Sequence, residues 1–410
     1  MGRKKVLIIS FIFPPQLLAR ALQLLKTANA LIKLGWDVTV YTADPKLLKD
    51  PIDSALAEKI DPAIHIIPGY TLENWFFSNA TASLSLGMPD DKYLWRFAGK
   101  KALQKILEKE NFDVIASFGL QWSSHLLALE VKKFSNLPWL AHFSDPWVDN
   151  AYHKRIWPIS AINRKQERAV CETAEALCFT TEATRKLVTE KYGANVYEKG
   201  LVVPHCFDKS LYPHVAENQD NVLSLVHVGS FYGRHNPNNF LEAFALFKKE
   251  NPKLAKKVLV TFVGLDGAKY KTRLTELNLN ENFSFVGKVP YLESLAYMKK
   301  ATVLFSIDVV SKSLLSKLPD YIGANKPLLA ISDPGSPTFL YVEKLHGLTA
   351  DQKDVPAIAS ALKKLSACWE KDSTLSCFSY TDEEAAFFDS LRTTSLLSSA
   401  LEKIANKEKI

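Results

Sequence analysis

Residues 6–42 read VLIISFIFPPQLLARALQLLKTANALIKLGWDVTVYT, and the class of fold follows from them. Val6 to Ser10 is a short, continuous apolar run of the kind buried on both faces of a parallel sheet. Pro14 and Pro15 then turn the chain. From about Ala19 to Leu34 the apolar residues Leu22, Leu25, Ala28, Leu31 and Ile32 recur at helical spacing, and Gly35 supplies the stop. Trp36 to Thr42 alternates as a strand. Together these form one βαβ unit, whose default is a right-handed crossover onto a parallel sheet.

Further along, the pattern repeats. Strand Val114–Ser117, a helix from about Ser123 to Phe134, and strands Trp139–Phe143, Ala176–Thr180 and Gly200–Pro204 complete an α/β half over residues 1–208. Residues 209–221 are polar and aperiodic, and read as a linker. Residues 222–378 carry a second series, with strands Ser224–Val228, Val258–Val263, Phe283–Val286, Thr302–Ile307 and Pro327–Ile331. The expectation is an α/β chain with two Rossmann-like domains facing across a cleft. In the tail, 379–410, a long helix from Tyr380 to Leu401 is expected to return to the first domain.

Composition narrows the function. With 410 residues, 47% hydrophobic and 23% charged, the chain is neither disordered nor fibrous. No apolar run approaches the ~20 residues of a membrane span. Gly2 is followed at position 6 by Val, where a myristoylation signal needs Ser or Thr. Five scattered cysteines without a CxxC pair predict reduced thiols, a cytoplasmic chain and no structural zinc. The net charge of +7 suits an anionic partner, but no nucleic-acid-binding signature accompanies it. Lys92, Arg96, Lys100, Lys101 and Lys105 flank Trp95, Phe97 and Leu103. With Trp75, Phe76 and Phe77 they allow peripheral attachment to the inner face of an anionic membrane; ordinary helix packing is the other reading.

The segment with the most chemistry is Ser316-Lys317-Leu318-Pro319-Asp320-Tyr321-Ile322-Gly323-Ala324-Asn325-Lys326-Pro327. A helix opening at Ser316 and Lys317 offers free N–H groups and a cation to a diphosphate. Asp320 can accept hydrogen bonds from vicinal sugar hydroxyls, or be a solvated residue of an ordinary capped helix. There is no P-loop, no Gly-x-Gly-x-x-Gly and no Asp-x-Asp cluster, so neither a cofactor nor a metal is expected.

This segment resembles the donor-binding signature of glycosyltransferase family 4 and its relatives, which have the GT-B fold. Phe13-Pro14-Pro15, Ser144-Asp145-Pro146-Trp147, Val203 to Asp208, His227 to Arg234 and Gly287-Lys288-Val289-Pro290 are similar to other family segments, so the likeness spans nearly the whole chain. Two departures stand out. Lys312 occupies a position where many members carry Glu, and the loop after the first donor-domain strand has Ser230, Arg234 and His235 where relatives often place Arg and Lys.

The resemblance implies a retaining, metal-independent transferase whose nucleotide-sugar substrate is held by Gly229, Ser230, Arg234, Val289, Ser316, Lys317, Leu318 and Asp320. Asp320 would hold the ribose, and Arg234 and Lys317 the leaving diphosphate. His142 would touch the donor sugar and Asp145 the acceptor, or else they are a wall residue and a turn cap. Phe13, Pro14 and Arg20 would lie on the acceptor side, where the acceptor is a glycan or a lipid-linked sugar of the cell surface; Arg20 would meet an anionic acceptor, or else is a solvated helix residue. A nucleotide-sugar epimerase and a non-catalytic subunit of the same fold are the alternatives.

Overall fold

In the computed structural model, residues 2–48, 51–71, 89–150, 156–215, 221–231, 236–308 and 314–410 are described. The chain divides into two compact units. One comprises Met1–Cys206 with Ser390–Ile410, the other Phe207–Asp389.

The first unit holds β1 (Lys5–Ile9), β2 (Asp37–Ala43), β3 (His65–Gly69), β4 (Val114–Phe118), β5 (Trp139–Phe143), β6 (Ala176–Phe179) and β7 (Gly200–Val202). They form one sheet in the order β3-β2-β1-β4-β5-β6-β7, parallel throughout. Strand β1 is central, with Leu7 opposite Thr39 on one side and Ile115 on the other. Its apolar run has a direct cause. Leu7 and Ile9 enter the core on one face, while Val6 and Ile8 enter the core on the other. Helix Ser390–Ala405 supplies Leu397, Ala400, Leu401 and Ile404 to the Val6 face, and Trp36 Nε1 donates to Ser398 Oγ at 2.8 Å.

The second unit holds β8 (Leu223–Val228), β9 (Val258–Val263), β10 (Phe283–Gly287), β11 (Val303–Asp308), β12 (Leu328–Ser332) and β13 (Leu348–Asp351). Their order is β10-β9-β8-β11-β12-β13, again all parallel. Its core is rich in phenylalanine, with Phe240 stacked on Phe305 at 4.7 Å.

Two expectations need correction, and one open choice is decided. Strands β3 and β13 are absent from the sequence reading, because both are short edge strands and β3 carries Pro68, so neither shows a clear apolar period. The tail is not one helix. A capped turn of helix at Asp382–Ala385 and a 3₁₀ turn at Ala386–Phe388 end at the extended Asp389, and only then does Ser390–Ala405 begin. Phe207 N donates to Phe388 O at 2.9 Å, so residues before Ser390 pack with the second unit. Of the two readings open for Trp95, membrane attachment or ordinary helix packing, packing holds: it is fully buried between Phe11 and Tyr41. Trp75, Phe76 and Phe77 lie outside the described residues. Among the described residues no helix is long and apolar enough to cross a membrane.

Candidate functional site

In each sheet the strand order reverses once, between β1 and β4 and between β8 and β11. Open α/β sheets bind ligands beyond the carboxyl ends of their strands at such a reversal. The residues singled out from sequence gather around these two places.

In the second unit, Gly229 and Ser230 follow β8. Gly229 N donates to Val263 O at 2.9 Å, Leu265 N donates to Ser230 Oγ at 3.1 Å, and Gly264 N donates to Gly287 O at 2.8 Å. A Cβ on Gly264 would lie 2.1 Å from Gly229 O, and its φ is +148°, so only glycine lets these backbones approach. Val289 is half-buried beyond β10.

Helix Leu318–Gly323 is joined to β8 by one side chain. Val228 N donates to Tyr321 Oη at 2.7 Å, and that hydroxyl donates back to Val228 O at 3.3 Å. Asp320 is buried beside it. Tyr291 Oη donates to its Oδ1 at 3.0 Å, and Tyr212 Oη donates to its backbone carbonyl at 2.7 Å. Ser316 is exposed, Lys317 half-buried and Leu318 buried.

This helix start is poorer in free N–H groups than the sequence suggested. The Leu318 amide donates to Leu315 O at 3.0 Å, and Pro319 has no N–H at all. The helix itself runs from Leu318, with Lys317 at its N-cap, to Gly323. Asn325, at φ +54°, is the left-handed residue beyond it, and Gly323 makes room for Tyr212 and Phe207.

In the first unit, Phe13 and Pro14 follow β1 and are buried. The Phe13 ring packs in the core with Val6 and Ile8, so its part is packing. Arg20, in the first turn of helix Ala19–Lys33, is buried rather than solvated. Its Nη1 donates to Gln23 Oε1 at 2.5 Å, its Nη2 donates to Ser144 Oγ, and its Nε has no partner. His142, near the end of β5, is stacked on Phe118 with 4.8 Å between ring centres. Its Nδ1 lies 3.4 Å from Arg20 Nη1 and its Nε2 lies 3.3 Å from Gln23 Nε2. Burial, then the charge of Arg20, holds His142 well below its ordinary pKa, so the ring is neutral. Burial lowers Arg20 to about 10, which leaves it charged. Asp145 is exposed and accepts from Ser144 Oγ at 3.2 Å; no capping bond of Asp145 accompanies it among the described residues.

Two known families match the chain in tandem: Glycosyltransferase Family 4 over residues 23–211, and Glycosyl transferases group 1 over residues 211–379. The chain belongs to glycosyltransferase family 4 and its relatives.

Solved structures of this GT-B fold are similar over their whole length. Sucrose-phosphate synthase from Thermosynechococcus elongatus is 17% identical at a TM-score of 0.66, covering 99% of this chain and 100% of that one. The Anabaena protein HepE in complex with UDP is 13% identical at a TM-score of 0.66, covering 98% and 100%. The α,α-trehalose 6-phosphate synthase of Burkholderia multivorans is 10% identical at 0.61, covering 99% and 100%. No curated protein sequence matches.

Within this family chain, Arg234 and Lys312 lie outside the described residues. Sequence reasoning missed Gln23 and the tyrosines Tyr212 and Tyr291. Gln23 lies three residues after Arg20, on the same helix face, which was a usable signal. Tyr291 and Tyr212 reach Asp320 from 29 and 108 residues away, and no local pattern announces that. Among the described residues, no three His, Cys, Asp or Glu side chains are grouped to hold a metal.

Proposed function

We propose that this glycosyltransferase moves a sugar from a nucleotide-sugar donor to a glycan or lipid-linked acceptor in cell-surface glycan assembly, with retention and without a metal. The observation that carries the donor reading is Asp320. It is a buried carboxylate at the sheet reversal, fixed by Tyr291 on a helix that Tyr321 ties to β8. In this reading its other oxygen accepts from the ribose hydroxyls. Ser230, Lys317, Arg234 and the amides near Ser316 stabilise the leaving diphosphate as it gains charge, and Val289 and Leu318 flank the base. Among the structural neighbours, HepE has been solved with UDP and with UDP-glucose, which makes uridine nucleotides the first donors to test.

On the first unit, Asp145 is the exposed carboxylate available to an acceptor. His142 lies against Arg20, Gln23 and Phe118, and in this reading its ring meets the ligand together with Arg20 and Gln23.

A peripheral membrane location has support at a different place from the one the sequence suggested. Ile156 and Trp157, 80% and 79% exposed, precede the helix bearing Arg164, Lys165 and Arg168, and a cavity of about 540 Å³ is lined by those cations with Lys191 and Tyr192. Apolar side chains beside cations suit an anionic bilayer. Trp157→Ala should weaken sedimentation with anionic vesicles, and Trp95→Phe should not. Equal sedimentation of wild type and Trp157→Ala rejects this site.

A thermal-shift screen of nucleotide sugars tests the donor reading, since a ligand at about 100 times its Kd adds about 2.7 kcal/mol of stability. No shift with any nucleotide sugar refutes it. Product analysis with and without acceptor separates transfer from epimerisation, and absence of donor turnover identifies a binding subunit. The two family matches, both to glycosyltransferases, favour transfer.

A further inference from the structure

We propose that Arg20, with Gln23, His142 and Ser144, is a receptor for one phosphate group of a ligand. The proposal rests on the reading above only in taking the carboxyl edge of the first sheet as ligand-binding. It narrows the acceptor to a phosphorylated one.

Two observations carry it. The first is the charge of Arg20. The side chain is buried, yet every hydrogen-bond and ring partner it has among the described residues is neutral: Gln23 Oε1, Ser144 Oγ, the His142 ring and the Phe118 face. The carboxylate that acts on the guanidinium, Asp145, is exposed and is linked to it through Ser144 rather than by direct contact, so the buried charge is only partly offset, and Arg20 Nε makes no hydrogen bond. A ligand anion would compensate the charge.

The second is a surplus of donors around His142. Both ring nitrogens face donor atoms, Arg20 Nη1 at 3.4 Å and Gln23 Nε2 at 3.3 Å. Turning the Gln23 amide does not help, because its oxygen already accepts from Arg20. A neutral imidazole has one lone pair. In either tautomer, therefore, one N–H is directed at another N–H. The guanidinium, the ring N–H, the amide of Gln23 and the hydroxyl of Ser144 present donors from several directions, which suits the three oxygens of a phosphate better than a flat carboxylate. Ser144 is half-buried, so the group would arrive from its side.

Calorimetry and thermal shift with inorganic phosphate, a hexose 6-phosphate, the parent hexose and UDP test the proposal on wild type and Arg20→Met. Wild type should bind the hexose phosphate at least tenfold more tightly than the hexose, and Arg20→Met should lose that preference. Its melting temperature without ligand should equal or exceed wild type, because the buried charge is gone. A hexose-phosphate preference that survives in Arg20→Met overturns the proposal, as does a wild type indifferent to phosphate. Loss of UDP affinity in Arg20→Met with no hexose-phosphate response would place the same phosphate site on the donor and overturn the acceptor assignment. Absence of UDP binding by wild type would defeat the donor reading while leaving the phosphate response to stand. Should Arg20→Met fail to fold, the ¹⁵N resonances of His142 in wild type decide. They should shift with inorganic phosphate and not with the hexose; no shift with phosphate overturns the proposal.

Discussion

Tyr291 and Asp320 are joined by a hydrogen bond of 3.0 Å between two buried side chains. The phenol occupies one oxygen of the carboxylate and sets the plane of the other. Asp320→Ala should therefore cost about 1.5–3 kcal/mol of donor binding, as for a hydrogen bond to a charged group. Tyr291→Phe, which keeps the carboxylate but frees its orientation, should cost less. Titration of UDP into the three proteins gives the order directly. Equal affinities would remove Asp320 from the donor site.

Lys317 begins the helix that carries Asp320. A leaving diphosphate gains charge as its bond to the sugar breaks, so a cation held there should act more on turnover than on binding. Lys317→Ala is expected to lower kcat on the order of 10²–10³, with a smaller change in KM. A variant with wild-type kcat would show that Lys317 is a surface cation.

The bond between Tyr321 and Val228 predicts a stability effect. Tyr321→Phe leaves the Val228 N–H without its phenol oxygen in a buried setting, which should cost about 1–3 kcal/mol. Urea unfolding measures this, and a change below about 0.5 kcal/mol would mean that the backbone finds another partner.

Gly323→Ala tests the close approach at the same helix. The added methyl would lie 2.4 Å from Tyr212 Oη and 2.6 Å from Phe207 Cγ, so both rings must move. Overpacking of this kind costs about 1–3 kcal/mol. Gly193→Ala is a useful contrast: its Cβ meets nothing within 4 Å, and only its φ of +98° opposes the change.

Acid should weaken the first unit. Burial lowers His125 and His205 to about 3 and holds His142 well below its ordinary value. Below about pH 6.5 the unfolded chain binds these protons and the folded chain does not, so stability is full above that pH and falls as pH drops toward 3. Each histidine contributes at most about 1.4 kcal/mol per pH unit. Asp90 opposes the trend. Burial raises it to about 6, so its carboxyl takes up a proton more readily folded than unfolded as pH falls below that value. Urea midpoints between pH 7.5 and 5 should decline, and His205→Gln should flatten the decline. A flat profile in wild type would mean that these rings are hydrated.

The two α/β series were legible in the chain because their signals are local. Val6–Ser10 must be apolar on both faces to sit at the centre of a parallel sheet, and helix Ala19–Lys33 shows its period without help from distant residues. The donor segment was legible for the same reason, as a short motif between β11 and β12. Tertiary structure alone decided what three of these residues do. Trp95 has the sequence environment of a membrane-facing aromatic, yet Phe11 and Tyr41 enclose it. Arg20 looks like a solvated helix residue until β5 brings His142 and Ser144 against it from more than 120 residues away. Gly323 does end its helix, but what requires glycine there is that Tyr212 and Phe207 fill the space where its side chain would be. Periodicity reports which face of an element is buried; the identity of the distant atoms on that face is set only when the chain closes.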